Sequence, residues 1–281
     1  MENVNRQHQN YTAKIIIDEG TSSPFPARLM GQMFNLRDKL IRDKKKRQAF
    51  NNAYNPILDN FMELKTTVKE LKEIQDQHLK EVAEGGAVII HPNRQISVIR
   101  PIDTRYRALI KDFFIKGEMI ISGIPGVGKE FDIRIGFFFG DANKFKKGVD
   151  KLRVAWKELC EPVIQDLEYA RSTWYKDFND IRNDIEHKTL KVPPIEYHLD
   201  GNAKVSVHFP DFVPNHSVLV TMEHLTDRIL ELLEDCIVFM FATRLEPGLL
   251  IKIIPENERD PANVIKYKLC MRIGNQVVPV G

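Results

Sequence analysis

Nowhere in the 281 residues does an uninterrupted apolar run approach the ~20 residues that cross a bilayer, so a helical membrane protein is not expected. The opening segment, MENVNRQHQNYTAK, also lacks an apolar stretch, which argues against a secretory signal and for a cytoplasmic protein. Charge of one sign is missing too. Lys and Arg number 41 against 39 Asp and Glu, a net of +2, so any affinity for nucleic acid has to come from a local patch. Cysteine is scarce. Cys160, Cys236 and Cys270 are far apart and odd in number, which excludes a disulfide framework or a zinc knuckle and suits buried thiols in a reducing compartment. Internal repeats and low-complexity tracts are absent.

What is present is the composition of a globular chain: 43% hydrophobic and 28% charged residues, enough for one large domain or two ordinary ones with a sizeable core. Residues 1–25 are polar and proline-bearing and read as extended or flexible. Leu29, Met33, Leu36 and Leu40 carry a helical spacing, and Phe61, Leu64, Val68, Leu71 and Ile74 a second, ended by Glu84-Gly85-Gly86. Between them lies the basic run Arg42 to Arg47. Residues 87–90 and 96–99 read as strands around the turn signal His91-Pro92-Asn93, and 104–117 as a helix. Residues 119–121 and 131–135 read as strands again, with the glycines and proline between them forming a loop.

The strongest periodicity follows. Leu152, Trp156, Leu159, Val163, Leu167, Ala170, Trp174, Phe178, Ile181 and Ile185 are separated only by threes and fours, one face of a helix or of two helices joined near Pro162. Pro193-Pro194 stops it. Residues 195–209 suit a hairpin around Asp200-Gly201, and Met222 to Thr243 a last long helix. The fold class expected is mainly α: a helical core over 26–245 with β insertions near 87–140 and 195–209, and a C-terminal β segment over 246–281.

Gly123-Ile124-Pro125-Gly126-Val127-Gly128-Lys129 matches the first seven positions of a phosphate-binding loop. The hydroxyl that should follow the lysine is replaced by Glu130, a carboxylate, and the next segment reads as a strand instead of a helix aimed at phosphate. The segment is therefore expected to be a flexible hairpin loop, and a nucleoside-triphosphatase using Lys129 is not favoured.

Arg182-Asn183-Asp184-Ile185-Glu186-His187 lies near the end of the long amphipathic stretch. Asn183 and His187, four apart, share a helix face, and His187 points away from the apolar stripe. RNA cleavage without a metal needs a proton acceptor for the 2′-hydroxyl and a donor for the leaving 5′-oxygen, and histidine serves either role. A guanidinium fork stabilises the charge gathered on phosphorus. Asn183 can orient His187 or bind phosphate. The same residues also suit an ordinary helix surface, with Arg182 and Glu186 as an ion pair and His187 placed against the helix dipole.

This segment and its helical flanks, roughly residues 149–245, resemble the HEPN superfamily, whose hallmark is Arg, four to six residues, then His, often with a polar residue after the Arg. The resemblance implies a helical bundle that pairs as a homodimer around one cleft. It also implies a metal-independent endoribonuclease without cofactors, leaving 2′,3′-cyclic phosphate and 5′-hydroxyl ends, with Arg182, His187 and Asn183 as its site. A toxin or antiviral defence role, with a cognate inhibitor or antitoxin protein as partner, suits the family. The alternative is a non-catalytic HEPN-like module that binds a protein partner or nucleotide.

Lys44, Lys45, Lys46 and Arg47 are the candidate grip on an RNA backbone, and Lys144, Lys146 and Lys147 form a second basic cluster. Trp174 lies on the apolar stripe and is expected in the core. His198, His208, His216 and His224 have spacings that fit no metal-ligand pattern, so no metal site is expected.

Overall fold

Leu29, Met33 and Leu36 are fully buried, as their spacing requires, and the chain around them is helical. The computed structural model describes residues 23–213, 216–260 and 264–280; most of the expected extended segment over 1–25 lies outside them. A π-helical segment, Phe25–Gln32, runs directly into α1, Met33–Leu40.

The basic run then opens α2, Lys44–Ala83, a 40-residue helix that includes the expected second stripe but starts well before it. Cations in a first turn oppose the helix dipole. Asp43 offsets this as the N-cap, its carboxylate accepting from the backbone N–H of Lys45 at 2.7 Å and Lys46 at 3.1 Å. Those two bonds hold its carboxyl below the usual range.

A small hairpin follows, β1 (Val88–Ile90) antiparallel to β2 (Ile96–Val98), as expected. The strands expected at 119–121 and 131–135 are not formed. Residues 119–121 and the whole of Gly123–Lys129 belong to α3, Asp103–Lys129, which lies along α2. Two of the glycines that look like loop residues, Gly123 and Gly128, serve close packing instead. A Cβ at Gly123 would sit 2.7 Å from the Ile57 side chain, and one at Gly128 would sit 2.7 Å from the Ile133 carbonyl oxygen. Tertiary packing outweighs the weak helix propensity of glycine and proline here. Over 131–135 the period of two is real, because Phe131, Ile133 and Ile135 are buried while Asp132 and Arg134 are exposed. Among the described residues no partner strand pairs with it, and the segment caps the end of the core before a 3₁₀ turn at Gly136–Phe139.

The long periodic stretch becomes three helices: α4 (Ala142–Trp156), α5 (Glu161–Thr173) and α6 (Tyr175–Glu186). Its breaks fall at a 3₁₀ turn, Lys157–Cys160, with Lys157 at φ 49°, and at Trp174; Pro162 sits harmlessly in the first turn of α5. Val163, Leu167, Ala170, Trp174 and Phe178 are buried, so the apolar face is continuous although the helix is not.

The expected second hairpin is β3 (Glu196–Leu199) against β4 (Val205–His208). Its loop is longer than a two-residue turn, with the Asp200 carboxylate accepting from the backbone of Asn202 at 2.9 Å and Lys204 at 2.8 Å. A short pair, β5 (Asp211–Val213) and β6 (His216–Ser217), leads into α7, Val218–Ala242. Helix α7, buried nearly all round from Ile229 onward, packs against α1, α2, α3 and α5, the behaviour of a central helix. The chain ends in an antiparallel sheet of order β7 (Leu249–Ile253), β8 (Tyr267–Ile273), β9 (Gln276–Pro279). The fold is therefore mainly α with small antiparallel sheets, one of them C-terminal.

Polar bonds fasten that sheet to the bundle. The Lys266 ammonium pairs with both carboxylate oxygens of Asp235, at 2.7 and 2.8 Å, and the backbone N–H of Tyr267 donates to Gln32 Oε1 at 2.7 Å. Glu234, wholly buried, is held by Arg28 and by Gln32 Nε2 at 2.7 Å. The three cysteines are free and buried. No helix among the described residues is long and apolar enough to cross a membrane.

Candidate functional site

The C-terminal end of α6 carries Arg182, Asn183 and His187. The helix stops because Lys188 turns left-handed at φ 59°, which lets the N–H groups of Thr189 and Leu190 bond the Asp184 carbonyl at 2.8 and 3.0 Å. His187 sits at the C-cap, its N–H bonded to the Asn183 carbonyl at 2.9 Å and its residue exposed. Arg182 and Asn183 are half-buried. Arg182 Nη1 donates to Asn183 Oδ1 at 3.0 Å and to Glu186 Oε2 at 2.8 Å. The expected helix-surface ion pair is thus present, and Asn183 is bonded to the guanidinium.

A fourth residue comes from a distant part of the chain. Glu118 of α3 reaches Arg182, with Oε1 4.0 Å from Nη2. Its Oε2 is buried and has no hydrogen-bond partner among the described residues. Burial pushes the Glu118 carboxyl up; Arg182 pulls it down, and Glu186 adds to the rise. The neighbouring Tyr175 is pushed up to about 12, first by burial and then by Glu118. A guanidinium between two carboxylates, one of them held toward its neutral form, is a polar cluster that an incoming phosphate can enter by displacing Glu186. Nothing in the sequence flags Glu118, which stands 64 positions from Arg182 and in no motif with it.

The basic run is not part of this cluster. Helices α2 and α3 run antiparallel, with Lys116 paired to Glu63 and Gly123 against Ile57. Glu118 is therefore level with about residue 61 of α2, and Lys44, Lys45, Lys46 and Arg47 begin roughly 21 Å further along at 1.5 Å per residue. Lys44 to Lys46 are exposed and Arg47 is 3.8 Å from Asp38. Instead the run shares its end of the bundle with the 131–137 segment, since Phe50 touches Phe131.

Lys129 has no phosphate cradle around it. The backbone N–H groups of 126–128 are interior to α3, and Lys129 ends the helix, where the dipole repels anions. His198 faces Ser206 and His208 faces Glu196 across the hairpin, so the two histidines are diagonal neighbours with ring centroids 4.9 Å apart. Among the described residues no group of three or more His, Cys, Asp or Glu is placed to hold a metal ion. Trp174 is in the core, as expected.

Compared with known family models, curated proteins and solved structures, the chain matches none.

Proposed function

We propose that the chain is a HEPN-like, metal-independent endoribonuclease of the cytoplasm whose site is Arg182, Asn183 and His187. The observation that carries the reading is the placement of these three residues at one accessible helix end, with Arg182 Nη1 bonded to Asn183 Oδ1. In this reading Arg182 holds the scissile phosphate in place of Glu186. His187 moves the proton at the 2′-hydroxyl or the leaving 5′-oxygen, and Asn183 keeps the guanidinium in register. The products are a 2′,3′-cyclic phosphate and a 5′-hydroxyl. Ile115 and Met119, 46% and 47% exposed one turn apart on α3, flank Glu118 and supply an apolar surface suited to a second copy of the chain. A homodimer would bring two such helix ends to one cleft. A toxin or defence role, with a protein that silences it, fits an enzyme of this kind.

One observation favours a second reading. Arg182 is already matched by Glu186 and approached by Glu118, as in a binding module that does not cut. The deciding experiment is cleavage of total RNA in EDTA by the parent and by the Arg182→Ala, His187→Ala double variant. Cleavage by the parent alone, leaving cyclic-phosphate ends, supports the nuclease. Equal cleavage by both removes these residues from the chemistry, and no cleavage by either leaves the binding module as the better account.

A further inference from the structure

A second site lies at the other end of the bundle. Between the 132–137 segment and α4 there is an open groove of about 520 Å³, within the range of small-ligand sites. Its floor is aromatic: Phe137 and Trp156 are both half-buried and line it. The seat of Phe137 is built by Gly148, where a Cβ would fall 2.0 Å from Phe137 Cγ, so the ring lies flush against the backbone of α4. Its rim is cationic: Arg134, Lys144, Lys147 and Lys151 line the same groove.

Three of those cations come from one helix face. Lys144, Lys147 and Lys151 are spaced three and four apart, a ladder about 10 Å long at 1.5 Å per residue. Like charges at this spacing repel and weaken the helix unless an anion lies among them. Lys144 has only a distant partner, Asp141 at 3.8 Å. Arg134, Lys147 and Lys151 form no ion pair among the described residues, and the one carboxylate in the lining, Asp132, is taken by Arg244 at 3.0 Å. The groove therefore offers aromatic surface beside a row of positive charge that only Asp141, among the described residues, partly offsets.

We propose that this groove binds a nucleoside di- or triphosphate. The base stacks on Trp156, and successive phosphates run along Lys151 and Lys147 with Arg134 closing the far side. The groove's volume suits one nucleotide and not a strand, and charge complementarity selects a polyphosphate over a neutral aromatic. The site is separate from Arg182 and does not rest on the nuclease reading.

The test is calorimetric titration of the full chain with ATP and with GTP, with tryptophan fluorescence as a second readout. Saturable binding that weakens with salt and quenches the parent but not Trp156→Phe is expected. Lys147→Ala with Lys151→Ala should weaken it by about tenfold or more with an unchanged circular-dichroism spectrum, because both residues are exposed. The Arg182→Ala, His187→Ala variant should bind as the parent does. Absence of saturable binding overturns the proposal. So does inorganic tripolyphosphate binding as tightly as ATP, which would make the groove an indifferent polyanion patch. Single-stranded RNA that ATP cannot displace would identify a strand track and overturn it as well.

Discussion

Gly117 of α3 lies so close to Phe178 of α6 that a Cβ on it would fall 2.8 Å from two carbons of the ring. This contact draws α6 onto α3 and places Glu118, the next residue, against Arg182. The candidate site is thus assembled by an absent side chain, one residue away from the group it positions.

Gly117→Ala tests that relationship. Phe178 is fully buried and cannot swing into solvent, so the variant should lose about 1–3 kcal/mol and several degrees of Tm. Gly126→Ala is the control. It is in the same helix, and a Cβ there meets nothing within 4 Å, so better helix propensity should leave the protein as stable or up to about 1 kcal/mol more stable. Equal losses in both would show that the glycines matter for some other reason.

Glu186→Gln removes the negative charge of a carboxylate whose oxygen lies 2.8 Å from the Arg182 guanidinium. If that guanidinium receives phosphate, RNA affinity should rise about two- to fivefold, the size of an exposed ion pair. Weaker binding in a filter or anisotropy assay would mean that Glu186 supports the site instead of competing for it.

Asp166 sets a pH dependence. Burial first, and Asp235 second, push its carboxyl from 3.8 up to about 7. The folded chain thus keeps a proton that the unfolded chain releases, and the associated stability is full below about pH 3.8 and lost as pH rises through about 7. Asp166→Asn should therefore melt a few degrees above the parent at pH 8, with the gap closing toward pH 4. Parallel Tm profiles for the two proteins would remove Asp166 from the account.

Arg28→Met exposes the cost of burying Glu234. Burial already raises the Glu234 carboxyl, and the hydrogen bond and charge of Arg28 oppose the rise. Without Arg28 the loss should reach about 3–5 kcal/mol at pH 8, where an unpaired carboxylate is left inside. It should be smaller at pH 5, because protonation relieves that charge. Denaturant midpoints at the two pH values check this, and a loss independent of pH would point to lost packing alone.

Much of this was legible along the chain. The helical spacings, both hairpins, the buried Trp174 and the C-terminal strands follow from periods of two and of three to four, which depend only on neighbours in sequence. Asn183 and His187 were legible for the same reason, since four residues of helix bring them to one face, with Arg182 between that face and the apolar stripe. The reading failed at residues 119–135. Gly123, Pro125, Gly126 and Gly128 carry the local signature of a loop, yet they form helix, because the energy of packing α3 on α2 outweighs the poor helix propensities of these four residues.

Outside residues 119–135, local patterning alone set the element types, the mainly helical class and the identity of the candidate motif. Which elements touch was decided only in three dimensions. Glu118 against Arg182, Asp166 beside Asp235, and Phe137 seated on Gly148 join residues from separate helices or turns. Their partners are chosen by volume and by desolvation. Neither quantity exists for a side chain until the rest of the core has closed around it.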